Sequence, residues 1–185
     1  MRHCSFKLFI DNNGRNNAAC DNNAGVFKSD VTFDVVPSVK VVQLRSVNYR
    51  DRFVRHRSFL GELTPLASEL DQKDASFIIR PGLAGKGVSF EPVNYPGYFL
   101  RHQGFALKLH KRESSDLFKA DATFMERRGL AGSGTSFESV NFPRHFLRHC
   151  SFKLFLDNNN RNNGACDKND GVFKSDVSFD VVDAP

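Results

Sequence analysis

Two residue types that can bind polar ligands recur at matching places along the chain. An Arg-His pair precedes four short apolar segments, and an Asp precedes four segments that close with a small residue and Phe. The pairs are His56/Asp74, His102/Asp121, His149/Asp176 and His3/Asp30, separated by 18, 19, 27 and 27 residues. A carboxylate accepts hydrogen bonds from neighbouring hydroxyls, and an imidazole nitrogen donates or accepts another. Each pair therefore has the chemistry to bind a diol, provided that the fold brings its two members together.

The elements that carry these pairs are internal repeats. Residues 1–36 return at 147–182 with 29 of 36 positions identical, at an offset of 146. A shorter period of 46–47 residues relates the segments 46–56, 92–102 and 139–149. Self-similarity at such a period indicates units that bury their apolar faces against one another. We expect three full units in 38–183 (lobes of about 38–87, 88–134 and 135–183), preceded by 1–36, the later part of a fourth.

Each unit reads as β-structure. Short alternating runs such as 105–110 and 117–124 are separated by Pro, Gly and Asn-rich turns. The pattern lacks the periodicity of a firm helix, and the segment 65–70 is expected to make one helical turn at most. Three units of about four strands around one core predict an all-β protein, a β-trefoil. A solenoid is the alternative, and three units are too few for an ordinary propeller.

The repeated motifs resemble a known family. The run S-F-E-x-V-N-[YF]-P-x-x-F-L-R-H is followed by F-x-L-x-L, F-K-[AS]-D-[AV]-[ST]-F and R-x-G-L-A. In this order they are similar to the arabinofuranose-binding domain of α-L-arabinofuranosidase B, carbohydrate-binding module family 42. The resemblance covers nearly the whole chain. It implies a β-trefoil without catalytic machinery, in which the His and Asp of each lobe bind arabinofuranose branches.

Further candidate ligand-binding residues are Asn94, Tyr95 and Asn141, which are expected to form part of a pocket wall or a turn beside it. The chain contains no Trp, and flat polysaccharide-binding surfaces usually depend on Trp, so pockets for a small furanose side group are favoured. The 19 Phe residues are expected to serve as core. The motifs of the middle lobe match those of the family best. The first lobe diverges most from them and is the candidate for a lobe that does not bind sugar.

Structural roles compete with these assignments. A repeated His can fill a satisfied hydrogen-bonding position, a repeated Asp can cap a turn or a strand end, and the Asn residues suit turns. Only the pairing of His with Asp favours binding over scaffolding.

Four cysteines fall into two pairs with the same spacing of 16, Cys4/Cys20 and Cys150/Cys166. Matched spacing favours two local disulfides across the Asn-rich loop, and therefore an oxidising compartment. Free thiols duplicated with their segment are the alternative. The first residues do not read as a signal peptide, yet an extracellular location is expected.

Several classes of function are disfavoured. The net charge of +5 comes from scattered residues, which argues against nucleic acid as a partner, and no apolar run is long enough to span a membrane. The Asn-rich loops lack the regular order of a calcium site, and the cysteine spacing does not suit zinc. We expect no metal, no cofactor and no catalytic pair, so the chain is not expected to be an enzyme.

The duplicated segment raises a question of assembly. Residues 1–36 and 147–183 are near copies that compete for one place in a trefoil. We expect one copy to complete the fold and the other to exchange into a second chain or to belong to a tandem array. The sequence thus predicts a carbohydrate-binding module or lectin for furanose-type glycans. The alternative is a trefoil that binds proteins or serves as a structural module without sugar binding.

Overall fold

The computed structural model describes the backbone of residues 2–4 and 7–9, and residues 39–160, 164 and 166–185 in full. The chain divides into two units, Met1–Ser38 and Val39–Pro185. In the first unit, β1 (Arg2–Cys4) pairs antiparallel with β2 (Lys7–Phe9). Asp30 and Cys20, and the side chain of His3, lie outside the described residues, so the predictions made for the partial repeat stay predictions.

The described residues of the second unit form twelve strands and three short helices. The strands are β3 (Val41–Ser46), β4 (Phe53–Arg57), β5 (Leu60–Thr64), β6 (Phe77–Pro81), β7 (Val88–Pro92), β8 (Tyr98–Gln103), β9 (Ala106–Lys111), β10 (Phe124–Arg128), β11 (Thr135–Ser139), β12 (Phe146–Cys150), β13 (Lys153–Asp157) and β14 (Phe179–Asp183). The helices are α1 (Glu69–Ala75), α2 (Asp116–Asp121) and α3 (Asp170–Asp176).

Six strands close into a ring in which each strand pairs with two neighbours. Their order is β3, β6, β7, β10, β11 and β14, and β14 returns to β3. The other six form the hairpins β4–β5, β8–β9 and β12–β13, whose second strands meet in a triangle. The fold is therefore an all-β closed barrel with few helices. A ring that closes on itself is not an open solenoid.

The barrel interior is filled by apolar side chains from all three lobes. Five phenylalanines are fully buried there: Phe77, Phe90, Phe124, Phe137 and Phe179. Burying one such side chain stabilises the fold by roughly 1.5–3 kcal/mol. These side chains alternate with outward-facing residues along their strands, which explains the short alternating runs in the sequence.

The triangle of strands is asymmetric at its centre. Leu107 and Leu154 lie directly across their hairpins from His102 and His149, whereas the residue across from His56 is Gly61. A Cβ atom added at Gly61 would meet Leu154 at 3.0 Å and Leu107 at 3.1 Å. Two leucines therefore fill the space at this point, and a larger side chain in place of Gly61 would require them to shift.

The three hairpins turn through two residues with left-handed backbone. These are Ser58–Phe59, Gly104–Phe105 and Ser151–Phe152, with φ between 47° and 66°. Two-residue turns of this kind match the twist of the flanking strands, but they usually contain Asn or Gly. A phenylalanine at the second position is conformationally unfavourable. Such strain is concentrated at functional sites in proteins, so these three residues point to a role outside the core.

The prediction that no firm helix forms was wrong. Each helix begins at a side-chain cap: Ser68 accepts from the Asp71 amide, Ser115 from the Phe118 amide, and Asn169 from the Gly171 and Val172 amides. The helices have six or seven residues and bury only two residues each, so they show no extended apolar stripe. Their last turns hold Asp74, Asp121 and Asp176, which were expected at strand edges.

Candidate functional site

In the middle lobe five polar side chains form one hydrogen-bonded cluster. Nε2 of His102 lies 3.4 Å from Oδ1 of Asp121 and 3.0 Å from Oδ1 of Asn141. Nδ2 of Asn141 donates to Oδ1 of Asp121 at 2.7 Å, and Arg101 donates to Oδ2 at 2.6 Å. Ser139 donates to Oδ1 of Asn141 at 2.8 Å. The structure therefore brings together the predicted His and Asp, joined by an asparagine and held by an arginine.

The first lobe contains the same arrangement. His56 Nε2 lies 3.5 Å from Asp74 Oδ1 and 3.1 Å from Asn94 Oδ1. Asn94 donates to Asp74 at 2.8 Å, and Arg55 donates to its other oxygen at 2.8 Å. Arg55 also pairs with Asp71 of α1. The sequence divergence of this lobe does not disturb its cluster.

The third lobe completes the set. His149 Nε2 lies 3.5 Å from Asp176 Oδ1 and 3.0 Å from Asn48 Oδ1. Asn48 donates to Asp176 at 2.9 Å, while Arg148 donates to Asp176 at 3.0 Å and to Asp157 at 2.8 Å. Arg148 is completely buried.

The asparagine of each cluster comes from a different lobe than its His and Asp. Asn94, numbered with the middle lobe, binds the first-lobe pair, and Asn141 of the third lobe binds the middle pair. Asn48 of the first lobe closes the cycle by binding the third pair. Each cluster thus lies at a boundary between lobes. Asn48 was absent from the predicted ligand-binding residues, although the repeat gives it the same place as Asn94 and Asn141.

The hydrogen bonds determine the proton positions on the histidine. The carboxylate of Asp121 is an acceptor, so Asn141 must direct its NH₂ group toward it and its oxygen toward His102. Nε2 of His102 therefore faces two acceptors, the Asn141 and Asp121 oxygens, so Nε2 carries the proton and Nδ1 is an acceptor. Burial lowers the pKa of His102, against the raising effects of Asn141 and Asp121, so the ring is neutral near pH 7.

The same holds in the other lobes. Burial lowers the pKa of His56. Burial, reinforced by the Arg148 charge, lowers the pKa of His149 to about 4. Among the described residues no hydrogen bond is made to Nδ1 of these rings, and Nδ1 does not belong to the buried side-chain atoms that lack a partner. This nitrogen is therefore the one that remains available as an acceptor.

The arginines were not identified as site residues from the sequence. Arg55, Arg101 and Arg148 precede the three histidines, and all are buried. A buried carboxylate needs a paired cation, because removing an unpaired charge from water costs several kcal/mol. The guanidinium groups therefore hold the aspartates in place. The repeated Arg-His pair in the sequence was the signal for this role.

Each cluster borders a cavity. The volumes are 380 Å³ in the first lobe, 290 Å³ in the middle lobe and 380 Å³ in the third. Two aromatic rings form the walls together with one apolar helix residue. These walls are Tyr95, Phe59 and Leu70 in the first lobe, Phe142, Phe105 and Leu117 in the middle lobe, and Tyr49, Phe152 and Val172 in the third.

The walls explain the strained hairpin turns. Phe59, Phe105 and Phe152 stand at the cavities rather than in the core, which corrects the expectation that the phenylalanines serve as core. In the sequence each follows its histidine by three residues, a spacing that could have identified them. Tyr95 meets His56 edge-on at 5.2 Å, so it belongs to the first-lobe cavity, as does Asn94.

One of the two predicted disulfides lies within the described residues. Cys150 and Cys166 are bonded, and Cys150 also lines the third cavity. Together with Asp157 they are the one group of potential metal ligands found in the described residues. Because both sulfurs are committed to the disulfide, neither can act as a thiolate ligand.

The comparisons agree with this architecture. The family model described as alpha-L-arabinofuranosidase B (ABFB) domain matches residues 1–69 and 42–181. The chain therefore belongs to the family of arabinofuranosidase B domains. No curated protein matches.

Solved structures show the same likeness. A GH54 α-L-arabinofuranosidase soaked with a cyclic sulfate inhibitor matches with 31% identity and a TM-score of 0.75, over 84% of this chain and 33% of that one. An arabinofuranosidase complexed with arabinofuranosyl-α-1,2-xylobiose matches with 31% identity and a TM-score of 0.75, over 83% and 33%. An endo-β-galactosidase from Clostridium perfringens shares only the fold, at 10% identity and a TM-score of 0.60, over 79% and 33%. The chain thus spans about a third of the length of these enzymes. In the described residues no helix is long and apolar enough to cross a membrane.

Proposed function

We propose that residues 39–185 form a non-catalytic carbohydrate-binding module that takes furanose side groups, of the arabinofuranose type, into three cavities. The observation that carries this proposal is the repeated floor of histidine and hydrogen-bonded aspartate beneath two aromatic walls. Family membership supports the sugar class. The closed ring of six strands, capped by three hairpins, supports the trefoil architecture that the repeats predict.

The chemistry of the floor selects a ligand rich in hydroxyl groups. Nδ1 of His102 accepts a hydrogen bond, and the Asp121 oxygens have lone pairs left after binding Asn141 and Arg101. A ligand must therefore donate to both residues, which a sugar diol does and a carboxylate or phosphate does not. The walls from Phe105 and Phe142 cover the apolar face of the ring.

The size of the cavities favours one small sugar over a chain. At 290–380 Å³ they lie at the lower end of the range for ligand sites. Since each takes a single sugar, useful affinity for a branched polysaccharide requires several sites acting together. The complete cluster in the first lobe argues that this lobe also binds, against the expectation that it is silent.

A binding role, rather than hydrolysis, fits the middle cavity. Asp121 is its one carboxylate, and both of its oxygens accept hydrogen bonds from the protein. Glycoside hydrolysis uses two carboxyl groups held on either side of the bond. The disulfide between Cys150 and Cys166 supports an oxidising, extracellular setting.

The test is a titration of ¹⁵N-labelled protein with methyl α-L-arabinofuranoside, followed by NMR. We expect separate chemical-shift changes around the His56, His102 and His149 cavities. His102→Ala removes the changes in the middle cavity and leaves the other two, while the thermal midpoint shows that the variant is folded. Shifts that avoid all three cavities would reject sugar binding there and favour a trefoil that binds proteins or has a structural role.

A further inference from the structure

A further cavity borders the first and middle lobes and includes Arg101 of the middle-lobe cluster in its lining. It has a volume of 590 Å³. Phe59 and Tyr98 supply aromatic surface, Leu109 lies buried beneath, and Lys111 and Arg112 line the end of β9. Its volume exceeds that of a single-sugar cavity and suits a longer segment of chain.

This cavity adjoins two of the proposed sugar sites. Phe59 lines both it and the first-lobe cavity. Arg101 and Gln103 line both it and the middle-lobe cavity. A branched molecule that places side groups in the two smaller cavities would therefore bring its main chain across the larger one.

The aromatic surface extends from the first-lobe site into this cavity. Phe59 and Tyr98 have ring centroids 5.9 Å apart with planes tilted by 31°, and Tyr95 meets Tyr98 at 5.6 Å. The residues equivalent to Tyr98 in the other two lobes are His145 and Arg52, so neither of those lobes has a Phe or Tyr ring at this position. The third aromatic ring is thus particular to the boundary between the first and middle lobes.

Cationic side chains outnumber acidic ones in the lining of this cavity. Lys111 and Arg112 are exposed, and neither forms a salt bridge in the described part of the chain, although Arg112 interacts electrostatically with Glu91, beside which it lines a neighbouring cavity. Glu113 is the one acidic residue of the lining. Burial lowers the pKa of His110, so this residue adds no charge near pH 7. The lining is therefore net positive, unlike the acceptor-rich floors of the sugar cavities.

We propose that this cavity binds the main chain of a branched acidic polysaccharide, with a main-chain sugar ring against Tyr98 and the carboxylate of a uronate side group of that chain at Arg112. The proposal rests on the proposed function, because the two neighbouring cavities hold the branches. An exposed guanidinium binds a carboxylate through paired hydrogen bonds. The contact between the uronate and Arg112 thus favours an acidic polysaccharide over a neutral one.

The experiment compares two oligosaccharides that differ in one substituent. Calorimetry measures binding of an arabinofuranosyl-substituted xylan oligosaccharide with and without a glucuronate branch. Wild-type protein is expected to bind the acidic form about fivefold more tightly at low salt, and Arg112→Gln to lose this difference. Arg128→Gln is the matched control, because Arg128 is an exposed cation at the end of β10 that forms no salt bridge within the described residues. Tyr98→Leu is expected to weaken binding of both oligosaccharides.

The outcomes separate this proposal from the one on which it rests. Normal binding of methyl α-L-arabinofuranoside with no preference for the acidic oligosaccharide would overturn the main-chain site and leave the sugar cavities intact. An equal loss in Arg112→Gln and Arg128→Gln would overturn it too, since the preference would then reflect net charge. If the furanoside itself fails to bind, both proposals fall.

Discussion

Asn48 and Asp176 are 128 residues apart in the sequence, yet Nδ2 of one donates to Oδ1 of the other at 2.9 Å. The contact joins the beginning of the barrel unit to its end. The third-lobe cluster is therefore complete only when the chain has closed into a ring.

Replacing a bridging asparagine should destabilise the protein by an amount that depends on charge. Asn141→Ala removes the hydrogen bonds that His102 and Asp121 each make to the bridging amide, and we expect a loss of about 1–3 kcal/mol in the free energy of unfolding. Asn141→Asp places a second carboxylate at 2.7 Å from Asp121 and should cost more. Urea denaturation measures both. Asn160→Ala, in an exposed loop, is the control, and an equal effect of all three changes would contradict the bridging role.

The buried arginine of the third lobe should be far more sensitive than an exposed one. Arg148→Met leaves Asp157 and Asp176 buried without their cation, and we expect a loss of about 3–5 kcal/mol. Arg50→Met removes an exposed pair with Asp180 and should change stability by less than about 1 kcal/mol. Equal denaturation midpoints of these two variants would show that the buried pairs do not hold the cluster.

Acidification should destabilise the fold through the buried histidines. The pKa of His149 is about 4 in the folded protein and near 6.5 when exposed, so between these values only the unfolded chain binds the proton. Stability therefore rises with pH through this window and is lost as the pH falls, by up to about 3 kcal/mol. Burial raises the pKa of Asp176, which acts in the opposite sense from its ordinary pKa upward.

The histidine contribution is isolated by comparison with a variant. Urea midpoints are measured at pH 7.5 and pH 5 for the wild type and for His149→Gln. The wild type should lose more stability on acidification than the variant does. Parallel losses would assign the pH dependence to other groups.

Breaking the disulfide should affect one cavity selectively. Cys166 precedes Asp167, which lines the third cavity and whose carbonyl accepts from Arg148. In Cys150→Ser/Cys166→Ser the loop loses its covalent anchor, which costs roughly 3 kcal/mol in the chain-entropy model. NMR titration with the furanoside should show weaker binding in the third cavity and unchanged binding in the middle one. Equal weakening in both would point to a general loss of fold.

An exposed wall residue tests binding without touching the fold. Leu117 is 66% exposed in the free protein and lines the middle cavity. Leu117→Ala should weaken furanoside binding there about two- to fivefold, through lost apolar contact, with an unchanged thermal midpoint. Leu130→Ala, outside the three cavities, should alter neither quantity. Unchanged affinity of Leu117→Ala would place the sugar elsewhere in the cavity.

The repeats allowed much of this organisation to be predicted. The recurrence of one His and one Asp at matching motifs in each unit identified the two residues that the structure places 3.4–3.5 Å apart. The spacing could not show that Asn94 hydrogen-bonds to the His and Asp of the preceding lobe. A repeat shows which residues are equivalent, but it does not show which of them are neighbours in space. The helices were missed since their signals were single caps, such as Ser115, rather than periodic apolar residues.

The glycine at the centre of the strand triangle limits how alike the three units can become. Gly61 leaves room for Leu107 and Leu154, and the Cβ atom of a third leucine would already meet them at 3.1 Å and 3.0 Å. Three identical copies of the middle unit would thus overfill the axis on which the hairpins converge, even if every other contact were satisfied. The difference between the first unit and the other two at this position therefore has a packing reason. A perfectly symmetric redesign of the barrel must begin by choosing smaller side chains at the three equivalent positions.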